Sequence, residues 1–313
     1  MDPNLLYWKN EGQSFLSRLR VWFNLLDPTC LLSSSAEIRK ARSALEGGVG
    51  VEEKDGDEWT LSLSSIHSDS GDVLPLIFRP PAFLPFASPL VVGSFLPHAT
   101  VKSALFWQFM MQSYCAGFNY ANRNSSSEQG KKMSLNQVVM VAGSVSCSTC
   151  AGAVPQIIIR QLGISSAPLL TLLRSLLPVP LAAALASFSV YTVRYEELEK
   201  GIQVFDSNGN SVGISKAAGE KAIRETAVSR VALLGTSAAL PNLLMLFLMR
   251  TRFKRNPLLV TPIRHLSAVL TLGLMIPVSF SLFPQLGMIE KESLEKELQD
   301  ATTDGQLFYH RGL

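Results

Sequence analysis

Long blocks without charged side chains alternate with polar segments along this chain. One block runs from Val231 to Met249, and four basic residues follow it directly: Arg250, Arg252, Lys254 and Arg255. Its 19 residues, rising about 1.5 Å each as a helix, nearly match the roughly 30 Å hydrocarbon core of a bilayer. The block therefore predicts a transmembrane helix that ends in a basic segment facing lipid headgroups.

The same pattern recurs and predicts transmembrane helices at residues 82–101, 134–159, 175–193, 231–249 and 266–289. The first contains Pro85, Pro89 and Pro97, so a helix there should be kinked or partly broken. Residues 103–122 are long enough to span but carry several amides, and we interpret them as a half-buried helix that is either inward-facing or interfacial. The chain therefore predicts five transmembrane helices, or six if this block also crosses the bilayer.

Residues 1–78 form an N-terminal polar region that precedes the transmembrane region, residues 79–289. Apolar positions at helical spacing predict an amphipathic helix, which Asp27 and Pro28 end, and a second helix follows. The first helix either lies flat on the bilayer or packs on a soluble β-hairpin predicted further along the chain. We favour packing, because its polar face is not strongly basic.

Residues 200–230 interrupt the apolar blocks with a different pattern. Two short alternating runs flank the turn residues Asp206 to Gly209, which predicts a β-hairpin, and an amphipathic helix with Ser215 as its N-cap follows. Residues 290–313 form a C-terminal tail. The fold class is therefore an all-α polytopic membrane protein with a small extramembrane part that contains a β-hairpin.

Composition supports the membrane assignment and narrows the function. Charged residues are 17% of the chain and the mean hydropathy is +0.21. The net charge of +3 is small, with no basic run beside stacking aromatics, so we expect no nucleic acid partner. The sequence contains no phosphate loop, dinucleotide fingerprint, zinc signature or nucleophile elbow. We therefore expect no enzyme activity and no cofactor.

Two motifs have the residue types of a metal site and of a redox pair, but their sequence surroundings favour other roles. His67, Asp69 and Asp72 could bind a metal, but a Ser/Gly-rich run of this kind is more often a turn, and the other histidines are distant in sequence. Cys147 and Cys150 have the spacing of a redox pair but lie inside an apolar block. Small residues there favour close helix packing over a reactive thiolate. We expect no metal site and no disulfide framework.

Polar side chains within or beside the apolar blocks are the candidate functional residues, because burying them in lipid is costly without a partner or a water-filled path. Near the end of block 103–122, amides, a phenol and a guanidinium could bind the carboxylate and ammonium groups of an amino acid. A headgroup anchor and interhelical hydrogen bonds are the alternatives. The candidates for a substrate path are Gln108, Gln112, Asn119, Tyr120, Asn122, Arg123, Gln156, Asn242 and Gln285.

Residue types in this order resemble the sideroflexins, multi-pass proteins of the mitochondrial inner membrane, over nearly the whole chain. The resemblance is carried by Asp27-Pro28, His67 to Gly71, Phe106 to Gln108, Gln112-Ser113, Asn119 to Arg123, Asp206 to Ser215, Ser229-Arg230, Phe283 to Gln285, Ser293 to Glu295 and Gly312-Leu313. It implies five transmembrane helices and transport of serine and related small neutral amino acids.

The resemblance also supplies an alternative function. Arg79 to Phe86 and the ending Phe308 to Leu313 are similar to a divergent branch of the family that is associated with biogenesis of respiratory complex I. Four positions where the family typically has asparagine carry other residues here: Met111, Cys115, Ala186 and Ser189. Because lost amides remove hydrogen-bond partners for a polar substrate, serine itself is a doubtful substrate. A non-transporting assembly factor whose partners are complex I assembly components is the alternative.

Basic residues also predict orientation. Segments 160–174 and 250–265 contain Lys and Arg but no acid, so both should face the matrix. The C-terminus should then face the intermembrane space. With five transmembrane helices the N-terminus faces the matrix, which is our expectation, and with six it faces the intermembrane space.

Overall fold

A computed structural model describes residues 3–46, 56–95, 98, 100–124, 134–161, 173, 176–248, 257–301 and 305–313. The fold is mostly helical, with one small antiparallel sheet. The basic residues predicted to follow the block at 231–249 lie outside the described residues. Most of the basic segment 160–174 does so as well.

Four helices form the N-terminal region: α1 (Pro3–Glu11), α2 (Phe15–Leu25), α3 (Ser35–Glu46) and α4 (Gly56–Ser65). The predicted break after α2 is present, because the Asp27 carboxylate accepts from the Thr29 amide, 2.8 Å away, and starts a 3₁₀ turn at Pro28–Leu32. Helix α4 is not predicted from the sequence. Trp22 of α2 packs against Phe280, so α2 lies on the end of the helical core and not on the hairpin that we favoured.

Six further helices carry the apolar blocks: α5 (Phe83–Phe95), α6 (Val101–Ala121), α7 (Leu135–Gln161), α8 (Pro178–Val193), α10 (Lys216–Leu248) and α11 (Pro257–Ser281); a short helix, α9 (Tyr195–Lys200), follows α8. Three segments within the described chain are long and apolar enough to cross a membrane: Leu135–Ile159, Lys216–Leu248 and Pro262–Ser281. Helix α8 is apolar but shorter. Exposed apolar side chains such as Val139, Phe247 and Leu274 cover the outer faces, as lipid contact requires.

Several predicted bounds differ from the observed ones, for local reasons. The predicted span 82–101 ends as a helix at Phe95, and residues 96–97 and 99 lie outside the described residues. Block 103–122 is a regular helix that starts at Val101, where Thr100 accepts from the Ser103 amide. It packs against α5, α7 and α8, so it belongs to the core of the bundle and is not interfacial.

The predicted amphipathic helix and the block at 231–249 are one continuous helix, α10. Ser215 is its N-cap, as predicted, and the Glu295 carboxylate accepts from the amides of Lys216 and Ala217 at 2.7 and 3.1 Å. A carboxylate at this position also stabilises the positive end of the helix dipole. The small side chains of the first turns are buried, which lets helix α8 and the sheet approach closely.

The six helices form a closed ring in which each helix contacts the next and runs antiparallel to it. The order is α5, α6, α7, α8, α10, α11 and back to α5. The contacts join the early part of one helix to the late part of its neighbour: Phe83 with Phe118, Gln108 with Gly152, Ser144 with Thr192, Ala183 with Gly235, Asn242 with Arg264 and Phe83 with Phe280. Because the ring has an even number of antiparallel helices, the start of α5 and the end of α11 lie on the same side of it.

The sheet contains the predicted hairpin, β1 (Ile202–Phe205) and β2 (Ser211–Ser215), and two strands that the sequence did not predict. These are β3 (Leu286–Glu290) and β4 (Gln306–His310), in the order β2-β1-β4-β3, and a short helix, α12 (Lys296–Ala301), lies between them. The predicted span 266–289 is therefore too long, since α11 ends at Ser281. The predicted tail 290–313 is in large part a structured piece of the sheet.

The two ends of the chain lie on the same side of the helical ring. Lys9 of α1 donates to the Ser207 carbonyl in the hairpin turn at 2.9 Å, and Arg18 of α2 donates to the Ser281 carbonyl, also at 2.9 Å. Both contacts place the N-terminal helices on the side of the ring that carries the sheet.

Candidate functional site

A polar contact joins three helices inside the ring. Asn119 of α6 donates through Nδ2 to the Ser189 hydroxyl of α8, 3.4 Å away. Arg230 of α10 donates through Nε to Asn119 Oδ1 at 3.2 Å. All three side chains are buried, and only 4% of the Arg230 surface is exposed. We call Asn119, Ser189 and Arg230 the polar centre.

Three phenyl rings surround the guanidinium of the polar centre. Its central carbon lies 4.9 Å from the ring centroid of Phe280, 5.2 Å from Phe118 and 5.9 Å from Phe83. Rings at these distances attract a cation through their quadrupoles. The arrangement therefore places a positive charge in apolar surroundings, and the described residues give it no acidic partner.

The guanidinium of Arg230 keeps an unused donor. Within the part of the chain that the structure describes, its Nη2 has no hydrogen-bond partner, and no carboxylate lies within ion-pair distance of it. An unpaired buried donor costs about 1–3 kcal/mol, and more when it is charged. Such a group is therefore expected to have a partner that the protein alone does not provide.

Of the four other buried arginines among the described residues, three are satisfied by the protein itself, whereas Arg79 donates through Nε to the Leu74 carbonyl at 3.1 Å and keeps an Nη1 without a partner. Arg18 donates to the Ser281 carbonyl at the end of α11, and Arg311 donates to the carbonyls of Phe280 and Phe283 at 3.2 and 3.1 Å. Cations at a helix C-terminus are favourable. Burial lowers the pKa of Arg311 to about 10, well above neutral pH, so its charge remains.

The third, Arg194, forms a buried ion pair that fastens the C-terminal residues. Its Nε and Nη2 donate to the two Glu197 carboxylate oxygens at 2.6 and 2.7 Å, and Nη2 also donates to the Arg311 carbonyl at 2.7 Å. Asn124 Nδ2 donates to Glu197 and to the His310 carbonyl. We call this group, formed by Asn124, Arg194, Glu197 and Arg311, the C-terminal clasp.

The structure separates the sequence-predicted candidates into distinct places. Asn119 belongs to the polar centre. Asn122 instead donates to the carbonyls of Phe78 and Phe118 at 3.0 and 2.9 Å, and its own carbonyl accepts from the amide of Leu313. The Arg123 guanidinium stacks 3.8 Å from the Tyr120 ring centroid at the end of α6. These side chains therefore fix the helix end and do not reach the centre.

The other candidates lie along three more contacts. Gln108 is buried against Gly152 of α7, and Gln112 is half-buried one turn further along α6. Gln156 accepts from the His98 amide at 3.4 Å. The Gln285 amide lies 2.8 Å from Arg311 Nη2 and 3.3 Å from the Gly312 carbonyl, next to the C-terminal clasp. The predicted candidates are therefore spread along the bundle and do not converge.

Asn242 lies at the end of the ring opposite the sheet. Its Oδ1 accepts from Arg264 Nη2 at 3.3 Å, and both residues line a cleft together with Ser237 and His265. The cleft has a volume of about 10 Å³, which is room for roughly one water molecule. It is too small to hold an amino acid in this conformation.

Hydrogen bonds to nearby backbone groups account for the position of the His67 side chain. His67 Nδ1 accepts from the amides of Asp69 and Ser70 at 3.2 and 3.1 Å, and Nε2 lies 2.6 Å from the Arg123 carbonyl. The imidazole is therefore neutral, with its proton on Nε2. Burial lowers the pKa of His67, which is consistent with this neutral form.

Sequence reasoning missed Arg230, Ser189 and most of the C-terminal clasp as functional positions. One signal for Arg230 was available, because Ala222, Thr226 and Arg230 are four residues apart and share a helix face with the small-residue stripe. Their common spacing predicts that Arg230 points inward. Its partners on α6 and α8 have no signal in the local pattern.

Apolar outer faces, a ring of antiparallel helices and buried polar contacts between them define a multi-pass membrane protein. The model of the sideroflexin family matches residues 4–313, and the chain belongs to that family. It is 55% identical to sideroflexin-4 of Danio rerio over the full length of both chains. It is 37% identical to sideroflexin-4 of Homo sapiens, covering 100% of this chain and 93% of that one.

The similarity extends to another branch of the family. Sideroflexin-5 of Homo sapiens is 32% identical, covering 97% of this chain and 91% of the relative. No solved structure matches the chain. The expectation of a sideroflexin drawn from the residue motifs is confirmed.

Proposed function

We propose that the protein carries small neutral amino acids across the mitochondrial inner membrane and catalyses no reaction. The observation that supports this is the polar centre, a buried guanidinium and amide enclosed between the helices of a membrane protein. Ionisable groups inside a membrane bundle are costly and commonly mark a solute path. Membership of the sideroflexin family, with the transport activity that the resemblance implied, agrees with this proposal.

In the proposed topology all six ring helices cross the bilayer. The N-terminal helices and the sheet then lie together in the intermembrane space, and the end that carries Arg264 faces the matrix. The positive-inside bias supports this orientation, because the basic segment 250–265 follows α10. A protease-protection assay on an N-terminal tag tests it, and protection of the tag from protease added to mitoplasts would contradict it.

Transport through the polar centre requires the ring to open alternately to either side. Pro89 lies inside α5, Pro241 inside α10 and Pro277 inside α11, so each of these helices lacks at least one backbone hydrogen bond. Broken helices beside a central site are the usual hinges and binding elements of transporters. We assign the movement to these three helices.

Uptake by liposomes containing the purified full-length protein tests the carrier proposal. We expect saturable uptake of labelled alanine, and we expect Asn119→Ala to abolish it. Asn24→Ala is the matched control, because Asn24 is exposed on α2, away from the ring. Absence of uptake by the folded wild-type protein would refute the proposal.

The second candidate function is a non-transporting factor for assembly of respiratory complex I. It is favoured by the internal pairing of most predicted path residues, since Asn122, Gln156 and Gln285 all bond within the fold. On this account complex I subunits co-purify with the protein, and Asn119→Ala supports complex I assembly as well as the wild type does. Uptake of alanine together with a complex I defect specific to Asn119→Ala would argue against it.

A further inference from the structure

Arg230 differs from Arg18, Arg194 and Arg311 in what satisfies it; Arg79 also keeps a donor without a partner among the described residues, but Arg79 lies outside the ring helices. Arg18 and Arg311 donate to backbone carbonyls, and Arg194 pairs with Glu197. Arg230 donates one hydrogen bond, to the neutral amide of Asn119, and three phenyl rings surround its guanidinium. Its Nη2 has no partner among the described residues. A buried cation of this kind lacks the anion that ordinarily compensates it.

The chemistry of the open donor selects a carboxylate. Guanidinium groups bind carboxylates through charge-assisted hydrogen bonds, which are about twice as strong as neutral ones. The Nε of Arg230 is already engaged by Asn119, whereas Nη2 has no partner among the described residues and can donate to a ligand oxygen. Asn119, which itself donates to Ser189, accepts from Nε and so restrains the orientation of the guanidinium.

We infer that Arg230 binds the carboxylate of the transported solute, and that the site takes small carboxylates with an apolar body and without a required ammonium group. This inference rests on the proposed carrier function. It names the chemical class of ligand that the polar centre recognises and the single side chain that provides the charge.

Apolar surroundings account for the second half of the inference. Phe83, Phe118 and Phe280 face the guanidinium, and Met111 and Cys115 belong to the same buried cluster. A ligand body bound beside Nη2 would contact these groups. A hydroxyl there would lack a hydrogen-bond partner and would weaken binding.

Three acceptors in this region each already accept a hydrogen bond from the protein. Asn119 Oδ1 accepts from Arg230, the Ser279 carbonyl accepts from the Ser229 hydroxyl, and the Ala82 carbonyl accepts from Tyr114. An ammonium group would also be repelled by the guanidinium a few ångströms away. Binding energy should therefore come from the carboxylate and the apolar body.

Access to Nη2 requires movement of a ring, and the fold places two of the three rings beside backbone breaks. Phe83 directly follows the 3₁₀ turn Pro80–Ala82, and Phe280 lies three residues after Pro277. Missing backbone hydrogen bonds make such segments easier to bend. The structure therefore corresponds to the closed form of the site.

Calorimetric titration of the full chain in lipid nanodiscs tests the inference without transport. The ligands are L-alanine, propionate, L-alaninamide and L-serine. We expect propionate to bind more tightly than alanine, because the guanidinium repels the ammonium group of alanine. We expect alaninamide, which lacks the carboxylate, not to bind, and serine to bind about tenfold more weakly than alanine. Binding of alaninamide as tight as that of alanine would overturn the carboxylate assignment.

Substitutions assign the charge to one residue. Arg230→Gln should weaken propionate binding by at least about tenfold, the equivalent of one charged hydrogen bond. Arg224→Gln is the matched control, because Arg224 is exposed on the same helix, and should leave binding unchanged. If Arg230→Gln does not fold, propionate binding is measured with Arg230→Lys, which keeps the charge but lacks the guanidinium donors. Weaker propionate binding then supports the inference, and unchanged binding contradicts it.

The two proposals fail in different ways. Binding of propionate that depends on Arg230, without any uptake by liposomes, would leave the carboxylate site standing and refute the carrier. Saturable alanine uptake that is unchanged in Arg230→Gln would support the carrier proposal and refute the carboxylate site at Arg230.

Discussion

Glu197→Gln should destabilise the fold strongly, because Glu197 is the anion of the C-terminal clasp. Its two carboxylate oxygens accept from Arg194 Nε and Nη2 at 2.6 and 2.7 Å, and from Asn124 Nδ2 and N at 3.0 and 3.3 Å. In the glutamine variant one oxygen becomes an NH₂ group that faces donors. At least one strong contact is lost, and the Arg194 charge remains buried.

The expected loss follows from that geometry. Arg194 and Glu197 side chains are 0% and 4% exposed, and removal of one partner from a buried pair costs about 3–5 kcal/mol. This is a large fraction of a typical stability of about 5–15 kcal/mol. The matched control is Glu196→Gln, because Glu196 pairs with Lys200 at 3.5 Å where the side chains are 17% and 42% exposed. It should cost at most about 1 kcal/mol.

The assay is unfolding in mixed lipid and detergent micelles titrated with SDS, followed by tryptophan fluorescence. Trp22 is buried against Phe280, next to the carbonyl that accepts from Arg311, so its emission reports on the region of the clasp. The double variant Arg194→Met with Glu197→Leu should be less destabilised than Glu197→Gln, since it leaves no buried charge. Equal midpoints for Glu197→Gln and Glu196→Gln would refute this reasoning.

Three further predictions follow from other contacts. Burial lowers the pKa of His67, so below about pH 6.5 the unfolded chain binds a proton more readily than the folded protein does. The free energy of unfolding should therefore fall on acidification by up to about 1.4 kcal/mol per pH unit. In melting temperatures measured from pH 7.5 to 5, His67→Gln should flatten this slope. Gly312→Ala should lower the melting temperature, because Gly312 has φ +72° and a Cβ there would lie 2.8 Å from Arg194 Nη2; an unchanged value would contradict this. Gly152→Val should separate α6 from α7 and so reduce the yield of folded protein in size-exclusion chromatography. Gly143→Ala lies on the same helix and should behave like the wild type, because nothing lies within 4 Å of the added carbon.

Residues that act within one turn or one hairpin could be predicted from the sequence. Ser215 as an N-cap, the break at Asp27 and Pro28, and the hairpin around Asp206 all depend on neighbours close in sequence. Apolar blocks likewise gave the positions of most helices, because a bilayer requires long uninterrupted apolar segments. The sequence also indicated the sideroflexin family through its motifs.

Other features depend on partners that are far apart along the chain. Asn119 and Arg230 are 111 positions apart, and Arg194 and the Arg311 carbonyl are 117 apart. Strand β4 pairs with β1 across about a hundred residues, so the C-terminal residues looked like a tail when read alone. Periodicity shows which face of a helix is buried, but it does not show which side chain lies opposite.

The sequence by itself therefore determined the class of protein, the family and most helices, because these depend on local hydrophobicity and local hydrogen bonding. Only the tertiary structure decided that Arg230 is a buried cation without an anion, that the C-terminal residues complete the sheet, and that both ends lie on one side. These properties arise from the closure of the six-helix ring, which brings side chains together by packing and not by their order in the chain.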